Sequence, residues 1–301
     1  MKFNKVLLII FIIFSVFLLI SSISASDLSA KEFNNLSESN NDYLNDNGKI
    51  IYVDSVNGNN ANDGSSQDLA LKSVDKALKS SKDNYTINLA DGTYKDTSNT
   101  RLTIDKSITF VGSGNTIFDG QGKDYIFIVS DNVKVTFKNI KFINAYKSPV
   151  SYSVSYNNNV YGAALDIKKA DVVIDNCQFI NSVLYYDTVD KYIYGGAISN
   201  FGDLKVLNSY FENNTALSTS GLFSYGGSIY NKGNLFINNS KFNKSMSVDF
   251  GYGAGIANDG NATMENSIIT NSRALRQCNG SAIYTAGDFV LFNSIIDNNY
   301  I

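Results

Sequence analysis

Tyr194-Gly-Gly-Ala-Ile-Ser-Asn-Phe-Gly-Asp-Leu-Lys-Val-Leu-Asn-Ser-Tyr-Phe-Glu-Asn-Asn214 is the stretch that decides how this chain folds. The same text returns, altered but in register, in four other places. Aligned on the first glycine (Gly162, Gly195, Gly226, Gly253, Gly280), an asparagine follows 13 positions on in every copy except the first, where it is 14: Asn176, Asn208, Asn239, Asn266 and Asn293. Three residues later stands a large apolar side chain (Phe179, Phe211, Phe242, Ile269, Ile296). Asparagine returns two further on, at Asn181, Asn213, Asn271 and Asn298, with Lys244 as the exception. The glycines are spaced 33, 31, 27 and 27 residues apart, so the unit keeps its body and varies one loop.

Self-similarity at this period means stacked units, none of which buries its apolar face alone. Within a unit, Leu204 and Val206 alternate with Asp203, Lys205 and Leu207, and Leu235 and Ile237 with Asn234 and Phe236. That is strand spacing, and no stretch of the repeats shows the helical i, i+3, i+4, i+7 pattern. A unit of strand, turn, strand, turn closes as one coil of a parallel β-helix, each coil resting on the last at about 4.8 Å. Every residue then sits above its equivalent. The column of Asn139, Asn176, Asn208, Asn239, Asn266 and Asn293 is expected to form a ladder, its amides bonding along the axis.

Lys2 and Lys5, the apolar run Val6 to Ile20 and the small residues Ser24, Ala25 and Ser26 read as a secretion signal over residues 1–26. The run of 15 is shorter than the roughly 20 residues of a membrane-spanning helix. Export to the cell surface or beyond is therefore expected. Removing the segment takes away two lysines and moves the net charge from −3 to −5. Such an acidic surface offers nucleic acid no footprint. Residues 27–48 are polar and read as a flexible leader.

The folded part, 49–301, opens with the strand Ile50-Ile-Tyr-Val-Asp54 and a turn-rich loop. From Asp68 the period changes: Leu69, Leu71, Val74, Ala77 and Leu78 share one face, with Lys72, Asp75, Lys76 and Lys79 opposite. An amphipathic helix of about three turns is predicted, placed to cover the open strand edge and apolar cross-section at the start of the solenoid. Strands over Thr86–Tyr94 and Leu102–Val111 follow, and Val133–Asn144 already carries the repeat pattern, so the repeats begin near 133 and the glycine-motif coils occupy 161–301. Seven to nine coils are expected, all β. The last ladder segment is followed only by Asn299-Tyr-Ile301, which reads as an open or truncated end suited to end-to-end self-association.

Tyr52-Val-Asp-Ser-Val-Asn-Gly58, Asn62-Asp-Gly64, the capping helix and Leu89-Ala-Asp-Gly-Thr-Tyr94 resemble the start of secreted right-handed parallel β-helix proteins of the pectin-lyase-like superfamily. Gly195-Gly-Ala-Ile198 with Phe211-Glu-Asn-Asn214 resembles the repeat of the polymorphic outer membrane proteins, although only one copy reads Gly-Gly-Ala-Ile in full. The bias toward Asn, Ile, Tyr and Lys is most similar to adhesin-like surface proteins of methanogenic archaea. The resemblance implies a non-catalytic, adhesin-like surface protein whose partners are cell-surface glycans or surface proteins of another cell. The alternative it leaves open is a polysaccharide lyase or glycoside hydrolase on the same fold.

Chemistry is sparse. There is no histidine, which excludes His-based triads and His-metal sites, and only three arginines (Arg101, Arg273, Arg276). No cofactor or metal is expected. Lyases of the resembled fold need Ca²⁺ and a basic proton acceptor, and its glycosidases need clustered carboxylates. Asp166, Asp171 and Asp175 share a coil with Lys168 and Lys169, but strand alternation assigns them to a solvated face; Asp119-Gly-Gln-Gly-Lys-Asp124 reads as a turn. Cys177 and Cys278 lie four coils apart, roughly 19 Å against a Cα limit near 7 Å, so no disulfide is expected.

What varies is the Tyr- and Ser-rich loop ahead of each glycine. Because coils stack in register, these loops emerge along one edge, bordered by Tyr161, Tyr194, Tyr225 and Tyr252, with Tyr185, Tyr186 and Tyr192 in the loop before Gly195. Tyrosine gives a recognition surface rigid contact area at little entropic cost. Such a column also reads as cross-strand packing on an exposed sheet. Asn-x-Ser/Thr sequons at Asn35, Asn84, Asn213, Asn238, Asn243, Asn261 and Asn279 are candidates for N-glycosylation.

Overall fold

The computed structural model describes residues 49–148, 159–187, 192–219 and 221–301. The signal segment, the leader and Asn35 lie outside them, as do parts of the loops before Gly162, Gly195 and Gly226. Among the described residues no helix is long and apolar enough to cross a membrane.

The chain is a right-handed parallel β-helix. Every strand pairing is parallel and joins one coil to the next. From the glycine motif onward each coil contributes to four walls. A two-residue strand such as Ile193–Tyr194 leads to the glycine, followed by a three-residue strand such as Ile198–Asn200. Asp203–Leu207 and Tyr210–Glu212 form the long third wall, and Thr215–Ser218 the last. The wall of Ile198–Asn200 contains seven strands, from Leu102–Ile104 to Ile283–Thr285, in keeping with the coil number expected.

Two columns explain why the repeat keeps its residues. Gly195 has φ +79°, and a Cβ there would collide with the carbonyl oxygen of Ile198; Gly162, Gly226, Gly253 and Gly280 meet the same obstacle at Leu165, Ile229, Ile256 and Ile283. Glycine alone permits this corner. Inside, Phe142, Phe179, Phe211 and Phe242 stack with centroids 4.7, 4.8 and 4.5 Å apart. Each pair adds about 0.5–1.5 kcal/mol beyond simple area burial.

The amides of the asparagine column bond along the axis from coil to coil, though asparagine meets asparagine of the same column only in pairs. Asn139, Asn176, Asn208, Asn239, Asn266 and Asn293 all have positive φ, between 43° and 57°, and turn the chain at outer corners. Asparagine is there because it tolerates the left-handed region. The turn breaks strand alternation, so these side chains face outward. Their amides bond in pairs: Asn176 to Asn139, Asn239 to Asn208 and Asn293 to Asn266. Asn208 donates instead to Asp175, and Asn266 to Asn238. The enclosed ladder lies elsewhere. Asn200, Asn231 and Asn258 are fully buried in the wall after the glycine. Asn200 Nδ2 donates to Asn231 Oδ1 at 2.7 Å, Asn231 to Asn258 at 2.7 Å, and Asn258 to Thr285 Oγ1 at 3.1 Å.

Cys177 occupies a buried serine column in which each backbone N–H donates to the next hydroxyl: Cys177 to Ser209, Ser209 to Ser240, Ser240 to Ser267 and Ser267 to Ser294. Burial pushes its thiol up to about 12. Cys177 and Cys278 are both free.

The capping helix, α1, spans only Val74–Ser80, shorter than predicted. Ser73 caps it by accepting from Lys76 N–H. Leu71 shares the helical period but pairs with the first strand instead, its N–H donating to Tyr52 O and its carbonyl accepting from Asp54 N–H. Leu69, with Ser66 Oγ accepting its N–H, lies in an exposed turn. Val74, Ala77 and Leu78 remain the buried face. Together with Gly64, whose carbonyl accepts from Tyr52, these contacts occupy the outer edge of the first strand and bury Ile51 and Val53.

Candidate functional site

The positive-φ glycine folds each two-residue strand sharply against the next, producing a concave corner on the outer surface. Aromatic side chains fill it. Tyr161, Tyr194, Tyr225 and Tyr252 stack along the axis with centroids 5.4, 5.1 and 4.8 Å apart and planes within 19° of parallel. Tyr230 packs against Tyr194 at 4.4 Å and donates its hydroxyl to Asp259 at 2.8 Å. Phe201 meets Tyr161 edge-on at 5.0 Å, and Tyr284 meets Tyr252 at 4.7 Å. Rings stacked in this way cover one another's faces, so the row presents ring edges. Burial, reinforced by neighbouring tyrosines, pushes the phenols of Tyr194 and Tyr225 up, which keeps them as neutral hydrogen-bonding groups.

Of the loop tyrosines, Tyr192 joins this row. It is 40% exposed and stands edge-on to Tyr194 and Tyr225, packed against Phe223 at 5.3 Å. Phe223 in turn packs on Phe250 at 5.4 Å. Asp249 ties this rim together: its carboxylate takes Arg276 Nη1 at 2.7 Å and its carbonyl accepts from Ser224 Oγ at 3.1 Å. Tyr186 does not join the row. It is 4% exposed, packed with Val160, Leu184, Ile193 and Ala216 in a small satellite core. Alternation within Val183–Tyr186 turns Leu184 and Tyr186 inward and leaves Tyr185 facing out, beside Tyr146 at 6.5 Å in a separate wall.

Asp166 also departs from its expected solvated position. It is 3% exposed. It faces outward from Leu165–Ile167, but that face is the floor of the concave corner. Lys147 Nζ reaches it at 3.0 Å, Lys168 Nζ at 2.9 Å and Ser199 Oγ at 3.1 Å. Burial alone would raise its pKa, but the two ammonium groups outweigh that and hold the carboxyl below its ordinary range. Asp171 and Asp175 lie on the outer face as expected, half-buried. Asp119 accepts from Gln121 N–H and Asn144 Nδ2, the bonds of a closed turn. Among the described residues no group of three or more His, Cys, Asp or Glu is arranged to hold a metal.

The sequons differ in availability. Asn213 donates to Asn181, Asn243 to Glu212 and Asn261 to Asn234, and Asn238 accepts from Asn266. Asn84 and Asn279 are exposed, with side-chain amides unengaged among the described residues.

The family described as "Protein of unknown function (DUF1565)" matches residues 56–300. The chain belongs to DUF1565. No curated protein matches it. Solved structures similar to this DUF1565 chain include a rhamnogalacturonan lyase, 16% identical over 84% of this chain and 69% of that one, with a TM-score of 0.41. A pectin methylesterase from Aspergillus niger is 14% identical over 82% and 85%, with a TM-score of 0.32. A GH136 lacto-N-biosidase from Eubacterium ramulus is 10% identical over 83% and 68%, with a TM-score of 0.27.

Proposed function

We propose that this DUF1565 protein is an exported cell-surface β-helix that binds glycan chains along the tyrosine row without cleaving them. In this it follows the adhesin-like surface proteins of methanogenic archaea that its sequence resembles. The observation that carries the reading is the continuous outward row of Tyr161, Tyr194, Tyr225 and Tyr252, flanked by the exposed ring of Tyr192. Rings repeating along the axis at the coil pitch suit a ligand that itself repeats, and Tyr192 offers a ring for a sugar. Aromatic anchors of this kind dominate binding energy where they are rigidly held, and the Phe223 and Asp249 contacts hold the rim.

The test is a glycan array followed by titration calorimetry with the wild-type chain and Tyr192→Ala. Roughly tenfold weaker binding by the variant, about 1.4 kcal/mol, with an unchanged circular dichroism spectrum is expected. Absence of glycan binding overturns the proposal. So does release of reducing ends or unsaturated products from a bound glycan.

A further inference from the structure

Lys147, Asp166 and Lys168 sit at the head of the tyrosine row, and their charges do not balance. One carboxylate accepts from both lysines: Lys147 Nζ lies 3.0 Å from Oδ2, and Lys168 Nζ lies 2.9 and 3.0 Å from Oδ1 and Oδ2. Ser199 Oγ donates to the same carboxylate at 3.1 Å. A single lysine would suffice to pair Asp166. The second leaves one positive charge in excess, in a corner where Lys147 is largely enclosed and the Lys168 side chain remains 37% exposed.

Aromatic rings frame both ammonium groups. Lys147 Nζ lies 5.3 Å from the Tyr125 centroid and donates to Tyr161 O at 2.7 Å; Lys168 Nζ lies 5.1 Å from the Tyr161 centroid. Tyr161 is the first ring of the row, 5.4 Å from Tyr194. A localised positive centre on a chain of net charge −3 concentrates and orients anions, and partial burial strengthens that attraction.

We propose that this cluster is an anion-binding site that seats a carboxylate or sulfate substituent of an acidic glycan, while the sugar body lies along the tyrosine row. The inference rests on the glycan-binding reading above and adds to it the charge of the ligand. Lys168, the more exposed cation, makes the contact; Lys147 and Asp166 hold it in place beside Tyr161.

Dextran, carboxymethyl-dextran and dextran sulfate share a backbone and differ in charge, so they isolate the effect. Titrating each into the full chain and into Lys168→Gln, at low and high salt, is expected to show at least tenfold tighter binding of a charged polymer than of dextran. That gap should narrow with salt and close mostly in the variant. Which of the two charged polymers leads distinguishes carboxylate from sulfate as the preferred group. Equal binding of charged and neutral polymers, a gap unchanged in Lys168→Gln, or no binding of either charged polymer overturns the anion site. Array glycans that still bind through Tyr192 would then leave the glycan-binding reading intact. A circular dichroism spectrum of Lys168→Gln superimposable on the wild type ensures that the loss is local.

Discussion

The side-chain amide of Asn200 donates to Asn231 Oδ1 at 2.7 Å, and both residues are fully buried between consecutive coils. The amide of Asn231 also bonds Gly233 O at 3.0 Å, Asn261 O at 3.1 Å and Asn258 Oδ1 at 2.7 Å. This one side chain therefore satisfies polar groups of its own coil and of the coils on either side.

Replacing Asn231 with Leu strands those groups without partners. An unmet buried polar group costs about 1–3 kcal/mol, and a loss of at least 2–3 kcal/mol on urea unfolding is expected. Asn239→Gly, at an exposed corner with φ 48°, should cost under about 1 kcal/mol because glycine accepts that backbone freely. Equal losses for the two variants would contradict the distinction between buried ladder and outer corner.

Cys177 gives a pH signature. Its thiol is pushed from 9.0 to about 12 in the folded chain. A raised pKa means that the neutral form is favoured by folding. The contribution is complete below pH 9 and is lost as the pH rises toward 12. In the folded protein at pH 8, a thiol reagent should modify Cys278 and spare Cys177, with both reacting in denaturant. Prompt reaction of both in the native state would contradict the buried serine-column position.

Glycosylation should be selective. In a host with the machinery, peptide mapping is expected to find glycan at Asn84 and Asn279 and little at Asn213, Asn243 or Asn261, whose amides are engaged in bonds between coils. Dominant occupancy at Asn213 would contradict this.

The columns that define the fold were legible because stacking forces each coil to solve the same steric problem. The glycine at the tight corner and the Phe179–Phe211–Phe242 stack both follow from position within the repeat. What the pattern did not reveal was burial on the outside. Asp166 and Tyr230 alternate outward like any solvated strand residue, yet the corner after the glycine encloses them. Tyr186 and Tyr185 are adjacent tyrosines in a loop-like stretch, and only the strand register separates the buried ring from the exposed one. The inner ladder did leave a signal: Asn200, Asn231 and Asn258 stand five residues after Gly195, Gly226 and Gly253, a column that the more regular corner asparagines overshadowed.

The closed edge at the helix α1 end gives the solenoid a direction. Residues 50–84 form the first described coil, whose outer side is completed by its own loop and helix, and every later coil needs a finished predecessor to pair with. A chain emerging from the ribosome amino-terminus first delivers that foundation before anything that must be laid on it. Assembly can then proceed as templated growth, one turn at a time, with only the newest edge sticky at any moment.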